Sequence, residues 1–138
     1  MFDINKAARI MRAGNEFSET NMKLQEAVYS FIEWLFQALG EYSLPGDDLF
    51  GWIIRRNKDK QQIHVSFKME VGGWHNVATN FEEPQMNSII LLCRALAGPE
   101  GDTLLAWLEK EAQERGQLLV ALQSGIQAFR SSIAGQGS

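Results

Sequence analysis

Residues 63–71 alternate without a break: Ile63, Val65, Phe67, Met69 and Val71 are apolar, and His64, Ser66, Lys68 and Glu70 between them are polar. A period of two gives a strand with one greasy and one wet face. Such a strand needs neighbours on its edges and an apolar layer against its greasy side. The flanking sequence supplies both. Residues 49–56 read as a first strand, with Phe50, Trp52 and Ile54 on one face, and residues 74–80 read as a third. Gly72-Gly73 suits a tight hairpin, because both central residues of such a turn take positive φ. A two-residue loop there pairs Val71 with Trp74 and Met69 with Asn76, and so sets Glu70 opposite His75. It also brings Asn76 to the greasy face, so a bulge or a longer loop stays open.

Helical periodicity brackets these strands. Asp3 caps a short first helix with Ala7, Ile10 and Met11 inward, closed at Gly14. Ser18 or Thr20 caps a second, in which Leu24, Val28, Phe31, Leu35 and Leu39 recur at steps of three and four. Ala27, Ile32 and Phe36 widen that stripe. Gly40 ends the helix, and residues 44–48 form a turn-rich loop. After the strands, Glu83-Pro84 opens a helix. Met86, Ile89, Ile90, Cys93 and Leu96 line its inner side, and Gly98-Pro99 stops it. Asp102 caps the last helix, which reaches about Ile133, with Gly116 a point for a kink. The expectation is one α+β domain over residues 1–138: a three-stranded antiparallel meander flanked by helices, in the order α-α-β-β-β-α-α. Residues 134–138 read as a frayed tail.

A chain of 138 residues, 45% hydrophobic and 22% charged, has ordinary globular composition and can bury a core. Its net charge of -4 disfavours nucleic acid and acidic membranes as partners of the molecule as a whole. The lone Cys93 excludes an internal disulfide and suits a reducing, cytoplasmic setting. Residues 1–4 do not open a signal peptide, and the apolar run 89–93 is too short to span a bilayer, so no membrane partner is expected.

Chemistry leaves little trace. His64 and His75 lie on strands, His64 roughly 20 Å from the hairpin at about 3.3 Å per residue, so they do not share a metal or a relay. A Glu70–His75 pair raises the possibility of acid–base work, although a cross-strand polar pair is the ordinary meaning of such neighbours. Cys93 lies in an apolar helix, where packing outranks nucleophilic chemistry. No P-loop, dinucleotide, zincin or serine-hydrolase motif occurs. Catalytic, cofactor and metal residues are therefore expected to be none.

Two surface features remain. In the last helix Leu108, Ala112, Arg115, Leu119, Leu122, Ile126, Phe129 and Ile133 follow steps of four and three, a heptad seam with one polar interruption. It serves either an antiparallel bundle within the chain or a dimer interface. Around the first hairpin Arg55, Arg56, Lys58 and Lys60 form a basic cluster, diluted by Asp59. Such a ribbon tracks phosphates in some proteins and keeps a sheet edge soluble in others. Acidic residues at 47–48, 82–83, 100, 102, 109, 111 and 114 are spread over loops and helix starts, and suit steering of a basic partner. The expectation that follows is a non-enzymatic protein-binding factor: an inhibitor, adaptor or chaperone-like regulator. Leu119, Leu122, Ile126 and Phe129 are its partner-binding residues, and a homodimer forms through the last helix. The alternative is a nucleic-acid-binding protein using Arg55, Arg56, Lys58 and Lys60.

Overall fold

The computed structural model describes residues 3–39, 51–70 and 72–136. Helix α1 spans Ile4–Leu39, strands β1, β2 and β3 span Trp52–Asn57, Gln62–Met69 and Gly73–Ala78, and helices α2 and α3 span Met86–Ala97 and Pro99–Gln136. The strands form an antiparallel sheet in the order β1-β2-β3, so the meander and its flanking helices agree with the pattern of residues. Two compact units divide the chain, Met1–Glu100 and Gly101–Ser138. The first holds the sheet, α1 and α2; the second is α3 from Gly101 onward. The expected helix stop at Gly40, the turn at 44–48, Leu49, Phe50 and Val71 lie outside the described residues, as do Gly137 and Ser138 of the tail.

Residues 4–39 form one helix, not two. Asp3 does cap it: its Oδ1 accepts from the Lys6 amide at 3.1 Å. Gly14 does not close it, and Ser18 and Thr20 lie mid-helix. A single interior glycine costs a helix about 1 kcal/mol. Alanines and arginines before it and glutamates after it favour continuation, and no proline intervenes. With the break removed, the steps of three and four run unbroken from Ala7 through Ile10, Gly14, Phe17, Asn21, Leu24, Val28 and Phe31 to Leu35.

The C-terminal half of α1 and one face of α2 cover the greasy side of the sheet. Val28, Ile32 and Leu35 from α1 and Ile89, Leu92 and Ala95 from α2 are buried with Trp52, Ile54, Val65, Phe67 and Val77. The inner line of α2 is thus shifted from the expected one: Met86, Ile90, Cys93 and Leu96 are half-buried. Trp52 and Phe67 stack at 5.8 Å between ring centroids. The buried Trp52 indole donates to the Glu100 carbonyl at 2.9 Å, which satisfies its polar edge.

The β2–β3 register differs from the two-glycine hairpin. Met69 pairs with Gly73, Lys68 with Trp74, Phe67 with His75 and Ser66 with Asn76. The connection therefore consists of residues 70–72, and Gly73 is already strand. Shifting by an odd number of residues exchanges the faces of β3. Val77 then lies fully buried beside Val65, and Asn76 reaches the wet face, where it accepts from Ser66 Oγ at 3.1 Å and meets His64 Nδ1 at 3.2 Å. Burying Val77 in place of Asn76 is the physical reason for the longer loop. Gly72 is required there, since its φ is +91° and a β-carbon would sit 3.1 Å from His75 Nε2.

Two helix starts also move. The Gln85 side chain hydrogen-bonds the β3 edge and offers no cap to α2, which begins at Met86, two residues past Pro84. Gly98 ends α2 as expected, but α3 opens at once with Pro99, ahead of the expected cap at Asp102. The missing amide of Pro99 is harmless in a first turn. No break interrupts α3 at Gly116.

Candidate functional site

The heptad of α3 supplies a long apolar stripe on a surface that is open. Every residue from 112 to 135 is exposed. Leu119 is 54% exposed, Leu122 65%, Ile126 41%, Phe129 66% and Ile133 52%. These side chains recur every 3.5 residues on average, so they form one line along the helix. Leu118, at 69%, borders that line. Isolated exposed leucines are ordinary, but a contiguous apolar stripe marks an interaction surface. Within residues 116–135 the only charged side chain is Arg130, and the other polar ones are glutamines and serines.

Two glycines in this helix have open space around them. Gly116 and Gly125 stand mid-helix, and a β-carbon at either would meet nothing within 4 Å. Each lowers helix stability by about 1 kcal/mol against alanine. A small residue with open space around it is what a closely approaching partner helix requires. At the polar interruption, the Arg115 guanidinium donates to Glu111 Oε2 at 2.5 Å and to the Glu111 carbonyl at 3.2 Å. The cation is therefore held along its own helix.

The first fifth of the chain has a similar arm. In α1 Ile4, Ile10, Met11 and Phe17 are 63–74% exposed, whereas the same seam is buried at Val28 and Leu35. One stripe thus begins in solvent and ends in the core. In the sequence Gly14 resembles a terminus, which conceals this arm. The recurrence of Ile10, Phe17, Leu24 and Phe31 every seven residues is the signal that could have found it.

The basic hairpin is divided. Arg55 pairs with His64 and Arg56 with Ile63, and alternate residues of a strand face opposite sides. Arg56 lies against α1, its guanidinium carbon 6.0 Å from the Phe36 ring centroid, in a shallow depression shared with Glu33 and Gln37. Arg55 takes the other face. Lys58 and Lys60 lie in the exposed turn, whose Lys60 amide donates to Asn57 Oδ1 at 3.4 Å. Four cations near in sequence therefore do not make one patch. The open sheet face instead gathers Arg55, His64, Ser66, Lys68, Trp74 and Asn76, with Trp74 42% exposed directly opposite Lys68. Its strand residues include no carboxylate.

Glu70 and His75 are not cross-strand partners. His75 faces Phe67, with ring centroids 5.6 Å apart, on the greasy side of the sheet. His64 lies on the open side, so the two histidines are separated by the sheet itself. Cys93 is half-buried rather than fully buried. Among the described residues no group of three or more His, Cys, Asp or Glu side chains could hold a metal ion, and no helix is long and apolar enough to cross a membrane.

Comparison with known proteins finds no matching family model, no matching curated protein and no matching solved structure.

Proposed function

We infer that this protein is a non-enzymatic protein-binding factor, an inhibitor, adaptor or chaperone-like regulator, whose docking element is the apolar seam of α3. The observation that carries the reading is the exposure of Leu119, Leu122, Ile126 and Phe129 along one line of a helix in which residues 112–135 are all exposed. Helix-in-groove and helix-on-helix recognition use anchors at this spacing. Acidic residues outside the seam, at a net charge of -4, assist encounter with a basic partner. A reducing compartment, the cytoplasm, suits the single cysteine.

The test is retention from an extract of the native host on the tagged full-length chain, beside a Leu119→Glu/Phe129→Glu variant. The wild type retains a defined set of proteins, an endogenous copy of the chain counted among them, and the variant loses them while its circular dichroism is unchanged. Identical sets on both would remove the seam as the docking element.

The open sheet face favours a second reading, nucleic-acid binding. Its support is the placement of Arg55 and Lys68 on the same face as the exposed Trp74, a cation-and-aromatic combination that serves single strands.

A further inference from the structure

We propose that the α3 seam pairs with the α3 seam of a second copy of this chain, as an antiparallel coiled coil whose central layer joins Leu119 of one copy to Leu122 of the other. The inference rests on the reading of the seam as a docking face and names its occupant.

The argument comes from what this register brings together. In an antiparallel pair each a-type residue faces a d-type residue of the other helix. With Leu119 against Leu122, the next layers are Ala112 against Phe129 and Ile126 against Arg115. The smallest seam residue meets the largest. Beside the seam, Gly125 faces Leu118 of the second copy, and the exposed Leu118 gains a space that only glycine leaves. On the opposite flank Glu109 faces Arg130, the lone charge of residues 116–135. Arg115, held by Glu111, lays its aliphatic stem along Ile126 and keeps its guanidinium at the rim.

A parallel, in-register pair has none of these features. It sets Arg115 against Arg115 and Phe129 against Phe129. Glu109 and Arg130 are then about 30 Å apart along the axis at roughly 1.5 Å per residue. All the complementarity lies within a single helix and its own two-fold image, which is the condition for an isologous interface. An unrelated partner would not require large and small residues of this chain to match one another.

The experiment uses the purified full-length chain and light scattering after size exclusion at tens of micromolar. The wild type is expected at twice 15.6 kDa. Gly125→Leu places a side chain where Leu118 of the second copy must sit, and is expected at the monomer mass with undiminished helical signal. Leu118→Gly combined with Gly125→Leu exchanges the two sizes across the interface and restores the dimer. On a Cys93→Ser background, Leu119→Cys mixed with Leu122→Cys oxidises to a crosslinked dimer, and Leu119→Cys alone does not. A monomeric wild type, a dimer indifferent to Gly125→Leu, or efficient self-crosslinking of Leu119→Cys would each overturn the pairing. A monomeric wild type whose extract partners vanish in Leu119→Glu/Phe129→Glu overturns self-pairing and leaves the docking reading standing. A monomer with unchanged extract partners overturns both.

Discussion

The side-chain amide of Gln85 binds both backbone groups of Ala78: the Ala78 N–H donates to Oε1 at 3.1 Å, and Nε2 donates to the Ala78 carbonyl at 2.6 Å. Nε2 also donates to Tyr29 Oη at 2.7 Å, which ties the end of β3 to α1. A side chain thus stands where another strand would pair, and the polar edge of β3 is blunted at that point. Gln85→Ala removes three hydrogen bonds at a part-buried site. The expected cost is about 1–3 kcal/mol, since unsatisfied buried groups carry their full desolvation penalty. Urea unfolding with an unchanged slope would register it, together with faster hydrogen exchange at the Ala78 amide. Unchanged exchange there would show that the contact does not protect the edge.

Core and seam respond differently to substitution. Phe67 is 0% exposed between Trp52 and His75. Phe67→Ala is expected to cost about 3–5 kcal/mol, a large share of a domain stability of roughly 5–15 kcal/mol. Leu122, 65% exposed, is expected to tolerate glutamate within about 0.5 kcal/mol in a dilute monomer. Melting curves of both variants at low micromolar concentration make the comparison. A Leu122→Glu loss as large as that of Phe67→Ala would mean that the seam belongs to a core.

Gly14 tests the continuity of α1. Its β-carbon would meet nothing within 4 Å, and it lies in helix between Ala13 and Asn15. Gly14→Ala is expected to stabilise the helix by up to about 1 kcal/mol. Increased helical ellipticity and slower amide exchange across residues 10–20 are the readouts. If the substitution changed neither, the chain would not be continuous helix at that point.

The central strand and the helices over it were legible because burial imposes period. Val65 and Phe67 had to share a face, and that face is buried. The stripe from Leu24 to Leu35 had to meet it. What escaped was decided by weaker or more distant forces. A loop one residue longer exchanged the faces of β3, because Val77 gains by burial and Asn76 gains hydrogen bonds on the wet side. Gln85 was drawn to the β3 edge 7 residues earlier, a pairing that no local pattern records. Gly14 resembled a stop and Gly116 a kink, yet a cost of about 1 kcal/mol does not interrupt a helix with good formers around it. The candidate seam was visible as a heptad. Its exposure was not, since periodicity specifies a shared face and leaves open what covers it.

The second functional reading yields a prediction that separates residues adjacent in sequence. Arg55 is on the open face with Lys68 and Trp74, while Arg56 lies over Phe36 on the helix side. If the open face binds single-stranded nucleic acid, Arg55→Glu combined with Lys58→Glu lowers affinity strongly and flattens its dependence on salt, because fewer counterions are released. Arg56→Glu has a smaller effect on binding, although it loses its contact with Phe36. Trp74→Ala weakens binding by about 1–3 kcal/mol at any salt concentration, the usual worth of one stacked base. Fluorescence anisotropy with a labelled oligonucleotide, titrated between low and moderate salt, measures all three. Equal losses for Arg55→Glu/Lys58→Glu and Arg56→Glu would point to a nonspecific charge effect, and no binding by the wild type at low salt would end this reading.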